Sequence, residues 1–392
     1  MLQRSLFQLT LFAFCLACAV ILMGAFTRLA DAGLGCPDWP TCYGHLWVPT
    51  SDADVHHANL SFADTPVERD KTWPEQLHRI LASTLGLIIL ILFFMALYQR
   101  RKLADRHPWI SISALLGLLV AGTITRIVKG SMIDPYLLGM VLLYFGNLAY
   151  IAKRHHGSKT VPFKLPAFLA GFVVVQGLFG MWTVTLKLWP QVVTLHLLGG
   201  FATVSLLCLL LQRLAQWHWR LPYEAHRQTV AIRPFAMLVL IVVAIQIALG
   251  GWISSNYAAL ACPDFPLCQN QLWPQADFLQ GFNIFQGIGP NYLGGLLENQ
   301  ARTAIHLSHR IGALITTVLV LILAIRLFGI QLRSSRILAF ILIVILALQV
   351  ALGVSNVVLS LPLAVAVAHN GVGALLLVIM VIINHRVSTA RQ

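Results

Sequence analysis

The sequence contains few charged residues. Only 10% of its 392 residues are Asp, Glu, Lys or Arg, whereas 58% are hydrophobic and the mean hydropathy is +0.78. This composition excludes an ordinary soluble domain and indicates a chain that crosses a bilayer several times. The first apolar run, which reaches Thr27, also lacks a cleavage site of small residues. We therefore expect this run to remain attached as a helix rather than to act as a signal peptide.

Ten stretches are long and apolar enough to span the bilayer as helices. They lie near 8–27, 76–98, 109–128, 135–152, 165–186, 191–212, 234–254, 304–326, 336–357 and 363–384. Two long connectors, about 28–75 and 255–303 by the same hydropathy criterion, are rich in Pro, Gly, Asn, Asp and Trp. The predicted fold is an all-α polytopic membrane protein with about ten transmembrane helices.

Acidic residues are scarcer than basic ones, 14 against 27, and the formal net charge is +13. The basic residues follow the even-numbered spans: Arg100, Arg101, Lys102, Arg106, Lys153, Arg154, Lys159, Lys164, Arg213, Arg220, Arg227, Arg233, Arg326, Arg333, Arg336, Arg386 and Arg391. The positive-inside rule makes that side the cytoplasm, with both termini inside and both long connectors exported. The positive charge is therefore explained by topology, and we expect no nucleic-acid partner.

The chain contains an internal repeat. "GAFTRLADAGLGCPDWPTC" at 24–42 matches "GGWISSNYAALACPDFPLC" at 250–268, an offset of 226, and "EQLHRI" at 75–80 matches "HLSHRI" at 306–311, an offset of 231. A third offset of 173 relates the set Gln176, Gly180 and His196 to the set Gln349, Gly353 and His369. Matches in this order indicate a tandem duplication.

The spacing of the matches also locates an insertion. His78 and Gln176 are 98 residues apart, whereas His309 and Gln349 are 40 apart, so the first half has 58 extra residues. That length suits a two-helix hairpin, which we place at about 109–155. Each repeat then has four helices, and an even number makes the repeats parallel. We expect an N-terminal repeat over 1–220, which carries the hairpin, and a C-terminal repeat over 221–392.

Four histidines occupy matched positions within these spans: His78, His196, His309 and His369. For a single histidine in a membrane helix, a hydrogen bond to a neighbouring helix is as good an explanation as a functional role. Two pairs in duplicated bundles favour haem, because neutral imidazoles on facing helices can ligate iron from both sides of a flat ring. Zinc or copper is less favoured, since a zinc site needs three or four ligands at one point and these pairs belong to separate bundles.

Glu75 lies three residues before His78, on the same helix face, and the second repeat has His306 there. A carboxylate beside one ring can move protons during chemistry on that ring. Alternatively, Glu75 is an interfacial carboxylate that is solvated or paired with Arg79. Arg79 and Arg310, which follow the first histidine of each pair, and Arg28 are candidates to bind haem propionates or to anchor at lipid headgroups.

Two C-x5-C pairs, Cys36 with Cys42 and Cys262 with Cys268, fall in the exported connectors. An oxidising compartment favours two disulfides over a metal site, because each loop offers only two thiols at that spacing.

The elements "GAFTRLADAGLGCPDWPTCYG", "EQLHRI", "GMWTVTLKLWPQVVTLHLLGG", "HLSHRIGAL" and "HNGVGALLL" resemble the haem A synthase family, over essentially the whole chain except about 109–155. The resemblance implies oxidation of the C8 methyl group of haem O to a formyl group, for terminal oxidase assembly in the bacterial inner membrane. It implies two successive hydroxylations and loss of water, with electrons supplied from outside.

Carried over by motif, the resemblance makes Glu75 the catalytic carboxylate and places His78 and His196 around the substrate haem O. His309 and His369 would ligate a resident haem b. The Cys36–Cys42 pair corresponds to the family's exported-loop disulfide. Expected partners are haem O synthase, an electron donor and the lipid bilayer, and a homo-oligomer stays open.

The chain departs from the family in two ways, because the family pattern has eight helices and the second cysteine pair is additional. The hairpin would be peripheral or would dock a partner, and its Arg126 and Lys129 run against the positive-inside trend. Two other functions remain as alternatives. A b-type cytochrome would hold permanent haem in both pockets, and a transporter would be expected to show unwound mid-membrane helices.

Overall fold

A computed structural model describes residues 2–101, 107–128, 135–154 and 163–392. Within these ranges the secondary structure consists of twelve helices and no strand: α1 (Leu2–Leu29), α2 (Asp52–Ser61), α3 (Arg69–Arg101), α4 (His107–Val128), α5 (Pro135–Arg154), α6 (Lys164–Thr185), α7 (Pro190–Leu214), α8 (Tyr223–Ser255), α9 (Phe278–Gly281), α10 (Asn299–Gly329), α11 (Arg333–Val358) and α12 (Leu363–Ser388).

Each of the ten predicted spans coincides with one long helix, although the fifth, 165–186, ends one residue beyond α6, and this agreement confirms the all-α polytopic fold. Nine of the helices in the described ranges are long and apolar enough to cross a membrane, and in α4 the apolar part is the shorter stretch Ile110–Thr125. Several helices extend beyond the predicted apolar limits. For example, α3 begins at Arg69 and α8 at Tyr223. Hydropathy detects only the apolar part of a helix, whereas the helix continues into its polar ends.

The short helix α2 lies in the first connector and was not predicted. It begins with a capping box, in which the Asp54 amide donates to Ser51 Oγ at 3.0 Å and the Ser51 amide donates to Asp54 Oδ2 at 3.4 Å. The hydrogen bond with the Ser51 side chain lowers the pKa of the Asp54 carboxyl. The Ser-x-x-Asp pattern that signals this start is present in the sequence.

The chain divides into two compact units. The first comprises Met1–Met23, Ala32–Thr185 and Ala202–Gln216, and the second comprises Gly24–Asp31, Leu186–Phe201 and Trp217–Gln392. The separation into repeats at 220/221 stays a prediction. Four lysine and arginine residues used for the topology lie outside the described residues: Lys102, Arg106, Lys129 and Lys159.

In the first unit, the inserted hairpin α4–α5 packs on α6, while α6 also packs on α3. Tyr144 of α5 is fully buried and donates from its hydroxyl to the Ala167 carbonyl of α6 at 2.6 Å. Gly171 allows this close approach, because a Cβ there would overlap the Tyr144 ring. The hairpin is therefore an integral part of the packing of this unit.

In the second unit, four long helices form a ring. Helix α8 packs on α10 and α12, and α11 packs on the same two helices. Polar contacts join α8 to α12: Asn384 Nδ2 donates to the Ala236 carbonyl at 3.1 Å, and Arg233 Nε donates to the Val387 carbonyl at 3.0 Å. The ring places α10 diagonally opposite α12, and α8 diagonally opposite α11. The long helices of this unit are continuous through the apolar stretch, unlike the unwound helices expected of a transporter.

Candidate functional site

Both predicted disulfides are present, Cys36–Cys42 and Cys262–Cys268. The second cysteine of each pair opens a tight turn. Backbone hydrogen bonds join Cys42 with His45 at 2.9 and 3.1 Å, and Cys268 with Gln271 at the same two distances. The two central residues of each turn have positive φ, as a type I′ turn requires. We refer to residues 36–45 and 262–271 as the two disulfide loops.

An aspartate inside each loop fixes this turn. The Asp38 carboxylate accepts hydrogen bonds from the Tyr43 and Gly44 amides at 2.5 and 2.8 Å. In the second loop, Asp264 accepts from the Gln269 and Asn270 amides at 2.6 and 2.8 Å. The sequence prediction did not assign these aspartates a role, although the shared Cys-Pro-Asp pattern of the two repeats could have indicated them.

Arg79 binds the first loop from α3. Its Nη1 donates to the Asp38 and Thr41 carbonyls at 2.7 and 2.8 Å, and its Nη2 donates to the Cys36 carbonyl at 3.2 Å. Backbone carbonyls at the loop therefore occupy most of the guanidinium donors. A role for Arg79 at a haem propionate stays a prediction.

Arg310 repeats this arrangement in the second unit. It donates to the Leu267, Asp264 and Cys262 carbonyls at 2.7, 2.8 and 2.9 Å. The duplicated arginine thus has a structural partner in both repeats, which hydropathy and spacing could not reveal because the acceptors are main-chain atoms.

Arg28, the third propionate candidate, lies at the end of α1. It donates to the Ser254 carbonyl, forms an ion pair with Asp31 at 3.5 Å, and stacks over the Tyr257 ring at 4.2 Å. These contacts tie the end of α1 to the end of α8.

Glu75 is buried, with 3% of its surface exposed. Its Oε2 accepts from the Cys36 amide at 2.9 Å, and its Oε1 forms an ion pair with Arg79 at 2.5 Å. The pairing with Arg79 was one of the two sequence interpretations, but burial excludes a carboxylate that is simply solvated by the loop. A buried carboxylate at the end of a spanning helix is costly, and such groups are commonly functional.

His306 occupies the corresponding place in the second unit. It is 4% exposed, and its Nδ1 lies 3.4 Å from the Cys262 amide and 3.1 Å from the Ala258 carbonyl. Glu75 and His306 therefore meet the backbone amide of the first cysteine in their own loops. One repeat places a carboxylate there, and the other places an imidazole.

His309 and His369 lie on the diagonally opposite helices α10 and α12. Each ring packs against a glycine of a neighbouring helix: a Cβ at Gly250 would lie 3.2 Å from His309 Cε1, and a Cβ at Gly353 would lie 3.0 Å from His369 Cε1. The two imidazoles are therefore held at positions where any larger residue on α8 or α11 would crowd them.

The surroundings of these two histidines fit a haem. His369 Nδ1 is buried without a hydrogen-bond partner, so the site retains an unused ligand atom. A cavity of about 390 Å³ between α8 and α10 is lined mainly by apolar side chains together with Gln246, Ser308, Gly312 and Thr316, and neither histidine lines it. Within the described ranges, no three or more His, Cys, Asp or Glu side chains come together in a metal-binding cluster. A zinc site would need such a cluster.

The other predicted pair is divided between the units. His78 lies on α3, one helical turn after Glu75, and His196 lies on α7 in the segment Leu186–Phe201 of the second unit. Each is partly buried. Their pairing around one substrate stays a prediction.

The fold and these residues define a class: polytopic helical membrane proteins in which histidines and disulfide loops are duplicated. A model of the family described as cytochrome oxidase assembly protein matches residues 7–128 and 130–381. The chain belongs to this family.

Curated relatives agree with the match. A protein named heme A synthase from Shewanella oneidensis is 41% identical over 367 residues, which cover 93% of this chain and 92% of that protein. Heme A synthases from Nitrosospira multiformis and Methylobacterium radiotolerans are 26% and 27% identical, over 96% and 91% of this chain and 91% and 82% of their own lengths. The family predicted from the sequence motifs is confirmed.

Proposed function

We propose that this chain is a haem A synthase, an oxidoreductase that converts the C8 methyl group of haem O to the formyl group of haem A. The observation that carries this proposal is the difference between two equivalent positions. Glu75 and His306 contact the same backbone amide in their respective loops, yet only Glu75 can serve as a carboxylate base. One repeat is thereby equipped for proton transfer, and the other is not.

In the C-terminal repeat, His309 and His369 would hold a haem b. The helices that carry these histidines, α10 and α12, are diagonally opposite in the ring of four helices. Gly250 and Gly353 leave room beside the two imidazoles. When bound, this haem supplies one-electron transfer between an external donor and the substrate site. The chain's own part is to exclude water and to hold both imidazoles in place.

The N-terminal repeat binds haem O through His78 and His196. The reaction consists of two successive hydroxylations of the methyl carbon, each of which would consume O2, two electrons from the external donor and two protons and release one water. The resulting diol then loses water to give the formyl group. Glu75 takes up or delivers the protons, one helical turn from His78. Arg79 and the Cys36 amide keep the carboxylate in one orientation, which lowers the cost of ordering it during the reaction.

The chain resides in the bacterial inner membrane with both termini in the cytoplasm. The two disulfides support this orientation, because disulfides persist on the oxidising, exported side of that membrane. Haem O synthase would deliver the substrate, and an electron donor would reduce the haem of the C-terminal repeat. A homo-oligomer is compatible with these roles.

The function is tested by co-expressing the chain with a haem O-producing enzyme and separating the extracted haems by chromatography. We expect haem A with the wild-type chain and only haem O with Glu75→Gln, while protohaem stays bound to the purified variant. His306→Gln is the matched control, since it changes the equivalent position of the other repeat, and it should still yield haem A.

A b-type cytochrome is the second candidate, because the Glu75–Arg79 ion pair gives that carboxylate a purely structural use. In that case the wild-type chain would bind haem at both histidine pairs, and no haem A would form under any of these conditions.

A further inference from the structure

Each histidine of the proposed haem b site is accompanied by a glutamine from the neighbouring helix. Gln246 Nε2 of α8 lies 3.0 Å from His309 Nδ1, and it donates to the His309 carbonyl at 3.0 Å. Gln349 Nε2 of α11 lies 3.3 Å from His369 Nε2. Amide side chains are costly in a spanning helix unless they hydrogen-bond, so two such contacts at the two proposed ligands require an explanation.

The helices that carry the histidines provide space for these amides. Gly312 follows His309 by one turn, and a Cβ there would overlap Gln246 Oε1. Gly373 follows His369 by one turn, and a Cβ there would lie 3.3 Å from Gln349 Nε2. The same four-part arrangement therefore occurs twice: a histidine, a glycine one turn later, and a glutamine and a glycine opposite them.

Both amides have an unused acceptor. Gln246 Oε1 and Gln349 Oε1 are buried and have no hydrogen-bond partner. When iron takes one nitrogen of an imidazole, the other nitrogen carries a proton and needs an acceptor. In the structure the amide nitrogen Nε2 of each glutamine faces the imidazole. Rotation of the terminal amide by 180° would exchange Nε2 and Oε1, so that Oε1 accepts from the imidazole N–H and fixes both the tautomer and the ring orientation.

We propose that Gln246 and Gln349 are positioning residues that orient His309 and His369 and set the reduction potential of the haem between them. This inference rests on the proposed function, since it takes the two histidines as iron ligands. An acceptor on the free imidazole nitrogen makes the ligand more basic, which stabilises ferric iron and lowers the potential.

The repeat alignment gives a suitable substitution. The offset of 226 places Val20 at the position of Gln246, and the offset of 231 places Leu81 at the position of Gly312. The amide opposite the first histidine thus belongs to the C-terminal repeat alone. Gln246→Val introduces the residue that the other repeat carries, so the change is compatible with a spanning helix of this family of sequences.

The experiment is a redox titration of the haem bound to the purified full chain, expressed without haem O and combined with electron paramagnetic resonance of the ferric state. We expect Gln246→Val to raise the midpoint potential, because the ligand loses its acceptor. Gln246→Glu should lower the potential, because a carboxylate is a stronger acceptor. Gln349→Glu should lower it as well.

Gln212→Val is the matched control. Gln212 is a buried glutamine near the end of α7 that belongs to the first compact unit, whereas His309 and His369 belong to the second. Its substitution should leave the potential and the resonance signal unchanged.

The outcomes separate the two proposals. A colourless wild-type chain would refute the proposed iron ligands themselves. A coloured chain whose potential and resonance signal are the same in wild type, Gln246→Val and Gln246→Glu would refute only the role of the glutamines. Loss of haem from Gln246→Val with retention in Gln246→Glu would support the role, since only the second variant keeps an acceptor.

Discussion

At the scale of single residues, the feature that costs most to bury is the ion pair formed by Glu75 and Arg79. Both side chains are about nine-tenths or more shielded from solvent, and Arg79 also bonds three carbonyls of the first disulfide loop. Replacement of both members of such a pair by apolar residues often changes the stability of the protein little. Removal of only one member is strongly destabilising, because it leaves a buried charge without a partner. Arg79 therefore serves both the carboxylate and the loop.

We predict that Arg79→Gln destabilises the protein by about 3–5 kcal/mol, as expected when one partner of a buried ion pair is lost. The measurement is thermal unfolding in detergent, with haem A formation measured in parallel. Arg79→Lys should keep the charge but lose some of the hydrogen bonds to the loop carbonyls, because an ammonium cannot reach the several acceptors that a planar guanidinium bridges. Equal stability of all three chains would contradict this role.

Gly353 gives a second prediction at this scale. In Gly353→Ala, the added Cβ would lie 3.0 Å from His369 Cε1, so the imidazole must shift. Overpacking of this kind costs about 1–3 kcal/mol, and we expect a corresponding loss of haem per chain, measured by the pyridine haemochrome assay. Gly329→Ala is the control, because a Cβ there meets nothing within 4 Å. Full haem occupancy in Gly353→Ala would show that the His369 imidazole tolerates the added methyl group, which would contradict this prediction.

At the scale of elements, three kinds of bond hold each disulfide loop: the disulfide itself, the hydrogen bonds from the turn amides to an aspartate, and the hydrogen bonds from an arginine to the loop carbonyls. The second loop is also expected to respond to pH through Asp264. Partial desolvation acts to raise the pKa of the Asp264 carboxyl, but the Asn270 and Gln269 amides and the nearby Arg310 outweigh it and lower the pKa.

A lowered folded-state pKa means that the ionised carboxylate stabilises the loop above the unfolded pKa of about 3.9. This contribution is lost as the pH falls through the lower, folded-state pKa. We therefore expect the second loop to loosen only in acid, which proteolysis of the loop or the mobility of a spin label at Leu272 would report. Asp264→Asn should abolish this pH dependence, and a variant that kept it would exclude Asp264 as the responsible group.

The long helices could be predicted from the sequence, whereas helix α2 and the contacts of side chains with the backbone of the loops were not predicted. Ten apolar runs identified ten helices because the bilayer requires long apolar segments. Helix α2 was missed because it is polar, although its Ser51 capping box is visible in the sequence. The repeat alignment also brought out Glu75 and the four histidines. It could not supply the carbonyl partners of Arg79 and Arg310, since main-chain positions depend on how the loop folds.

At the scale of the whole molecule, the topology is open to a direct test. Fusion of green fluorescent protein after Gln392 should fluoresce, because the C-terminus is proposed to be cytoplasmic and the reporter does not mature after export through the general secretion pathway. Alkaline phosphatase fused after Gln275, in the second connector, should be active, because that enzyme needs the oxidising side. The reverse pattern would invert the orientation of the whole chain and move both disulfides to the reducing compartment.

The histidine that is proposed to hold iron and the arginine that grips the disulfide loop are consecutive residues in both repeats. A displacement of either loop would therefore also displace the helix turn that carries the neighbouring imidazole. The position of each disulfide loop is thereby coupled through one arginine to the orientation of a single imidazole.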